Sequence, residues 1–192
     1  VGTFYQPRIV ISDIKTLVTL SERQFRSQFA EVIKYGVIQA SGLFELLERK
    51  ADWFFSKLRE KSFDKQVLSF LEQVVWRSAL VKAKVVEEDE LEIKGNRTIL
   101  NYAHTFAHAL EGASQFQITH GDAVASGMFL AGELACRIGI FSRKDQERQI
   151  ELIQRMSRPV PYRFSGSRIL SFMKRDKKNR GGRLKFVLPR AI

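Results

Sequence analysis

Apolar residues recur along this chain at helical spacing, in stretches separated by short polar or glycine-bearing breaks. Ser21 and Gln24 form a capping-box signature ahead of FRSQFAEVIKYG, whose Phe25, Phe29, Val32 and Ile33 make one apolar face, with Gly36 as the expected stop. Within this helix Glu31 and Lys34 stand three residues apart and share a face. A second amphipathic stretch covers residues 41–60, with Leu43, Leu46, Leu47, Trp53, Phe54 and Leu58 as core candidates. From Ser62 the series Val67, Phe70, Leu71, Val74, Val75, Ala79 and Val86 predicts a long helix to about Glu92, ending in the acidic EEDELE before Gly95. Ile99, Leu100, Phe106 and Leu110, with alanines at 103, 107 and 109, predict another. After a break containing Gly112, Ser114 and Thr119, a helix capped by Thr119 reaches Gly139. Ser142 caps a helix to about Met156, Pro159 and Pro161 enforce a loop, and Ser167 caps a last short helix ending near Lys174. Two β-rich segments, residues 8–13 and 184–188, read as short strands. The expected fold class is mainly α, with short strands at both ends: residues 1–20 a junction, residues 21–192 a helical domain. No repeat or low-complexity tract interrupts it.

Composition narrows the class. At 192 residues, 44% hydrophobic and 28% charged, the chain has room for one sizeable core. No apolar run reaches the roughly 18 residues a membrane span needs, so no membrane partner is expected. VGTFYQPRIVISD lacks both a basic leader region and an initiator methionine, and reads as a cut inside a longer chain. The lone cysteine, Cys136, excludes an intramolecular disulfide and fits a reducing, cytoplasmic compartment. The net charge of +11 suits phosphate-bearing partners. Yet Arg23, Arg26, Lys34, Arg49, Lys50, Lys57, Arg59 and Lys61 alternate with apolar helical positions, as solvated helix faces do. The densest basic group is Lys174, Arg175, Lys177, Lys178, Arg180 and Arg183.

All three histidines, His104, His108 and His120, fall within residues 97–124. Neutral imidazole is a common zinc ligand and a common general acid or base. On a continuous helix Asn101, His104 and His108 project from one face. An i, i+4 histidine pair can ligate one metal, but the zinc-protease pattern needs glutamate directly after the first histidine, and Thr105 stands there. A catalytic zinc site typically uses three protein ligands. Spacing alone does not choose its carboxylate from Glu31, Glu111, Asp122, Asp89 and Glu90, nor does it decide which histidines would bind. Glu31 draws notice because a carboxylate beside apolar helix positions needs a partner or a metal.

The segments GTFYQP, AEVIKYG, KAKVVEEDE, RTILNYAHTFAHALE, HGDAVASGM and RDKK, in that order, closely resemble the C-terminal half of the dehydroquinate synthases, over essentially the whole chain. The resemblance implies a two-domain, usually homodimeric enzyme with an NAD-binding N-terminal domain and a helical, metal-bearing C-terminal one. It implies Glu31, His104 and His120 as ligands for zinc or another divalent metal such as cobalt. His108, Lys34 and Asn101 would work catalytically on the substrate, and Lys82, Arg97 and Lys177 (rather than Lys178) would bind its phosphate and carboxylate. Thr16, Leu17, Val18 and Thr19 would touch the nucleotide. The implied reaction converts a seven-carbon sugar-acid phosphate, 3-deoxy-D-arabino-heptulosonate 7-phosphate, to 3-dehydroquinate plus phosphate in the shikimate pathway.

Departures from the family pattern are also visible. The glycine-rich nucleotide-binding half does not occur in these residues, so the resemblance implies a domain of a longer enzyme, inactive alone. Alanines stand at 103 and 107 where the family has glycine, which predicts a tighter helix, and Asp122 replaces a glutamate. Two rival readings remain: a sister cyclase of the 2-deoxy-scyllo-inosose or valiolone synthase type, which Arg97 as carboxylate partner disfavours, and a non-catalytic basic helical module binding nucleic acid. The resemblance itself implies no nucleic-acid partner.

Overall fold

The structure is a computed structural model that describes residues 5–160, 165–175 and 184–192. Among the described residues it is all helical: α1 (Glu22–Ile38), α2 (Ser41–Arg59), α3 (Lys65–Glu88), α4 (His104–Ala113), α5 (His120–Arg137), α6 (Arg143–Met156) and α7 (Gly166–Arg175), with 3-10 helices at Ile14–Thr19 and Asn96–Asn101. Local chemistry sets most of the ends. Ser21 and Gln24 cap α1 reciprocally, Asp64 receives the Gln66 and Val67 amides at the start of α3, and Thr119 and Ser142 cap α5 and α6. At α7 the hydroxyl that receives the Arg168 amide, at 3.4 Å, belongs to Ser165 rather than Ser167.

Neither expected strand forms. Residues 8–13 run without a ladder and leave Ile9, Val10 and Ile11 exposed, because β-branched sequence makes a strand only where a second strand takes up its backbone groups. Residues 184–188 instead lie along α4: Thr105 Oγ1 donates to the Lys185 carbonyl at 3.1 Å, and Phe186 stacks on Phe106 at 5.1 Å. Gly36 does not end α1 either. It lies inside the helix, where a side chain would meet Phe44 of α2 at 3.0 Å. The third helix stops at Glu88, not Glu92, because Asp89 turns the chain: its buried carboxylate accepts the amides of Ile93 and Lys94 at 2.9 Å and of Arg97 at 3.4 Å.

The largest correction falls between Asn101 and His104. A continuous helix is expected there, but the chain breaks at Tyr102 and Ala103, and Ala103 takes φ 70°, ψ −19°. Ala103 therefore does not tighten a helix. It occupies the left-handed conformation that a glycine takes at little cost. Two forces hold the break: Tyr102 is fully buried and donates to Gln149 Oε1 at 2.7 Å, and α5 passes so close that a side chain at Gly127 would stand 2.5 Å from the Ala103 carbonyl. Ala103→Gly is thus expected to be nearly neutral, since relief of about 1–2 kcal/mol of left-handed strain offsets glycine's entropy and one lost methyl. Ala107→Gly, inside α4, should cost about 1.5–2 kcal/mol from propensity plus the buried methyl. Chemical denaturation of both variants measures the difference; equal costs would place Ala103 in ordinary helix.

The core has two characters. Between α1, α2 and α3 it is aromatic: Phe54 sits against Phe25, Phe29, Phe55 and Phe70 at centroid distances of 5.5, 5.3, 5.2 and 5.1 Å. Around α5 it is made of small residues, with Ala123, Ala125, Ala131 and Ala135 buried, so α4 and α1 approach α5 closely. The second region brings the histidines to Glu31.

Candidate metal centre

Glu31 projects from the middle of α1, His104 is the first residue of α4 and His120 the first of α5. One ligand atom from each of the three lies within 4.8 Å of the other two, the one such group of His, Cys, Asp and Glu side chains among the described residues. Glu31 Oε1 stands 3.4 Å from His104 Nε2 and 3.4 Å from His120 Nε2. Two ligands about 2.1 Å from a tetrahedral zinc are themselves about 3.4 Å apart, so the spacing is that of ligands sharing one ion. Oε1 is also buried and without a hydrogen-bond partner.

The outer atoms of each of the three side chains are engaged. His104 Nδ1 meets the Tyr102 carbonyl at 2.9 Å and His120 Nδ1 meets Glu111 Oε1 at 3.0 Å. Both partners can only accept, so each Nδ1 carries the proton, and in a neutral ring Nε2 presents its lone pair toward Oε1. Lys34 is buried and takes the other oxygen of Glu31, Oε2, at 2.6 Å, while also donating to the Leu100 carbonyl at 2.9 Å. One carboxylate oxygen is thus committed to an ammonium and the other is left for the imidazoles. The donor set fits a divalent ion of the zinc type.

Electrostatics agree with this division of labour. Burial pushes the Glu31 carboxyl up, but the approach of His120 and the Lys34 ammonium, followed by His104, more than offset it and hold it at about 2. Burial lowers His104 below the usual histidine value, against the Tyr102 carbonyl. His120 is raised, first by Glu31 and, against burial, by Glu111.

Other residues singled out in the sequence lie around this centre or away from it. His108 is one turn on from His104, its half-buried ring edge-on to the His104 ring at 5.6 Å and outside the triad. Asn101 ends the 3-10 helix just before the break, so it does not share a helix with the histidines. Lys82 lies exposed on α3 and Arg97 turns its guanidinium to the Glu90 carbonyl at 3.3 Å, both outside the cluster. Lys177 lies outside the described residues. Thr16, Leu17, Val18 and Thr19 form the end of the first 3-10 helix; Leu17 packs on the core, while both threonine hydroxyls donate to local carbonyls. Of the five carboxylate candidates, Asp89 organises its loop, Glu90 offers its main chain and Asp122 is buried in the first turn of α5.

Two important residues escape sequence reasoning. Glu111 was open only as a metal ligand, although its place three residues after His108 on the same face marks it as a neighbour of this centre. Gly121 follows His120, and a Cβ there would lie 1.8 Å from the Ser27 carbonyl oxygen of α1. No sequence pattern announces that approach.

A family profile described as "3-dehydroquinate synthase C-terminal" matches residues 28–179, a span that includes Glu31, His104 and His120. The chain belongs to the 3-dehydroquinate synthase C-terminal family. It is 42% identical over its full length to a 3-dehydroquinate synthase of Crocosphaera subtropica, of which it covers 51%, and 43% identical to that of Dictyoglomus turgidum, of which it covers 52%. The chain therefore spans about half the length of the curated relatives it matches. Among solved structures, 2-deoxy-scyllo-inosose synthase complexed with carbaglucose-6-phosphate, NAD+ and Co2+ superposes with a TM-score of 0.75 at 25% identity, over 100% of this chain and 51% of that one. The 2-epi-5-epi-valiolone synthase of Streptomyces hygroscopicus, with NAD+ and Zn2+ bound, shares the fold at a TM-score of 0.77 and 24% identity, over 94% of this chain and 48% of its own.

Proposed function

We propose that this chain is the metal- and substrate-binding half of a 3-dehydroquinate synthase, an NAD- and zinc-dependent lyase that converts 3-deoxy-D-arabino-heptulosonate 7-phosphate to 3-dehydroquinate and phosphate. The observation that carries the reading is the convergence of Glu31, His104 and His120 on a buried carboxylate oxygen that has no hydrogen-bond partner. Family membership and the 42% identity to a 3-dehydroquinate synthase support it. The enzyme would be cytoplasmic and homodimeric, with NAD held mainly by a domain outside these residues. No helix among the described residues is long and apolar enough to cross a membrane.

When bound, the ion supplies a Lewis acid for the substrate's oxygens and NAD a temporary hydride acceptor. Glu31, His104 and His120 hold the ion. Lys34 neutralises the second Glu31 oxygen and keeps the carboxylate ionised, and its buried ammonium places a positive charge at the floor of the site. A substrate with a phosphate and a carboxylate needs further fixed cations, the role assigned to Lys82, Arg97 and Lys177. Asn101 offers an amide to a substrate hydroxyl. His108, beside the ligand His104 but not in the triad, moves protons through its imidazole. Thr16, Leu17, Val18 and Thr19 form a ledge for the nucleotide.

The test separates metal from proton work. In the full-length protein carrying this chain, His108→Ala is expected to keep about one zinc per chain while phosphate release falls about 100-fold or more. Loss of zinc from His108→Ala would instead make the i, i+4 pair the ligands and overturn the assignment. Turnover of glucose 6-phosphate in place of the seven-carbon acid would assign the chain to a sister cyclase. Salt-sensitive oligonucleotide binding without stoichiometric metal would assign a non-catalytic basic module.

A further inference from the structure

We propose that Glu111 is a positioning residue for His120, and that its carboxylate sets how tightly the Glu31, His104, His120 site holds a divalent ion. The inference rests on the metal reading of that triad and concerns a residue outside it.

The two imidazoles of the site are held by different devices. The His104 side chain is 15% exposed and its Nδ1 donates to a main-chain carbonyl, that of Tyr102, which the break at Ala103 aims at it. Packing and backbone together determine that ring. His120 is the first residue of α5 and its side chain is 50% exposed, so packing restrains it far less. A ring in that position has rotamer freedom that must be lost before Nε2 can serve a metal. The group that accepts the hydrogen bond from its Nδ1–H is Glu111 Oε1, at 3.0 Å.

Glu111 is itself well anchored. Its side chain is 15% exposed, and its carbonyl accepts the Ser114 hydroxyl and the Phe116 amide, both at 2.8 Å, at the turn that ends α4. His104 and Glu111 stand seven residues apart on α4, two helical turns, so they share a face. That face of α4 carries a ligand at one end and the orienting carboxylate of the second ligand at the other. A carboxylate that accepts the Nδ1 proton of a ligating histidine selects the tautomer, orients the ring and raises the basicity of Nε2. Glu111 is thus suited to acting on the ion through His120 without touching it.

Zinc affinity of the full-length protein carrying this chain, measured by competition with a chromophoric chelator, tests this. Glu111→Ala is expected to weaken zinc about 10–100-fold. Glu111→Gln, whose amide oxygen still accepts from Nδ1 but carries no charge, should fall between wild type and Glu111→Ala, with the unfolding midpoint of the metal-free protein unchanged. The visible spectrum of the cobalt-loaded protein should also shift in Glu111→Gln, which a purely structural role would not produce. If Glu111→Ala fails to fold, the Gln variant decides: wild-type affinity and an unchanged cobalt spectrum overturn the role of Glu111. Loss of zinc in His104→Ala with wild-type affinity in both Glu111 variants overturns this inference alone. A wild-type protein that binds no zinc overturns the site reading and this inference with it.

Discussion

Removing any one member of the triad is expected to abolish stoichiometric zinc binding, but the three substitutions should differ in what they do to the metal-free protein. His104→Ala and His120→Ala each delete one of the three proposed ligands. Zinc affinity should fall by on the order of 1000-fold, well beyond the effect of losing a supporting partner, equivalent to about 4 kcal/mol. Without metal, both variants should lose less stability than Glu31→Gln, because the rings only supplement the Lys34 ammonium that already faces the Glu31 carboxylate. Glu31→Gln is different. Lys34 is 3% exposed and its ammonium sits 2.6 Å from Glu31 Oε2, so the amide removes the negative charge facing a buried cation. Breaking a buried pair from one side costs about 3–5 kcal/mol, and the partial exposure of Glu31 places the expected loss toward the lower end. Metal analysis and thermal unfolding of the three apo variants check this together. Zinc retained in either histidine variant would remove that residue from the ligand set, and a Glu31→Gln protein as stable as wild type would show that the pair with Lys34 contributes nothing.

The second large effect concerns a residue with no side chain. Gly121→Ala is expected to destabilise the chain by about 3 kcal/mol or more, at the upper end of overpacking costs, and to lower zinc affinity as well. The new methyl would lie 1.8 Å from the Ser27 carbonyl oxygen and 2.4 Å from its carbon, and backbone cannot turn aside as a flexible side chain can. Relief requires α1 and the start of α5 to separate. The hydrogen bond between Ser27 Oγ and Thr119 Oγ1, 2.9 Å, would break with it, loosening the cap of α5. Glu31 is one turn beyond Ser27 on α1 and His120 is adjacent to Gly121, so the same displacement pulls the Glu31 carboxylate from the His120 imidazole. Denaturant unfolding and zinc titration of Gly121→Ala measure the two consequences. A variant with wild-type stability would show that the helices are not in contact at this point.

How far the chain could be read in advance depended on the range of the forces involved. The caps at Ser21, Asp64, Thr119 and Ser142 act over two or three residues, so three of them were visible as motifs, while Asp64 was passed over in favour of Ser62. The amphipathic faces of α1, α2 and α3 appeared as spacing because each buries one side against its neighbours. The break at Ala103 did not, because alanine is a good helix former and what forces it left-handed is the burial of Tyr102 and the closeness of Gly127. Strand-like composition at residues 8–13 misled for the converse reason: a β-rich segment has no way to signal that no partner strand will come.

The site divides in the same way. Histidine spacing alone made His104 and His108 a possible metal pair without deciding which imidazoles would bind, and only the resemblance to a family separated His108 from the expected ligands. The helical class, most helix starts, the family and a set of candidate site residues could be read from the chain, because these depend on residue type and short-range order. Only the tertiary structure decided which oxygen of Glu31 faces the imidazoles, that Glu111 and Tyr102 hold the far sides of the two rings, and that Gly121 admits α1 to α5. Apart from Tyr102 and His104, two residues apart, those relations join residues from 9 positions apart, as Glu111 and His120, to 92 or more, as Ser27 and Thr119, and they exist only once the small-residue face of α5 has drawn α1 and α4 against it.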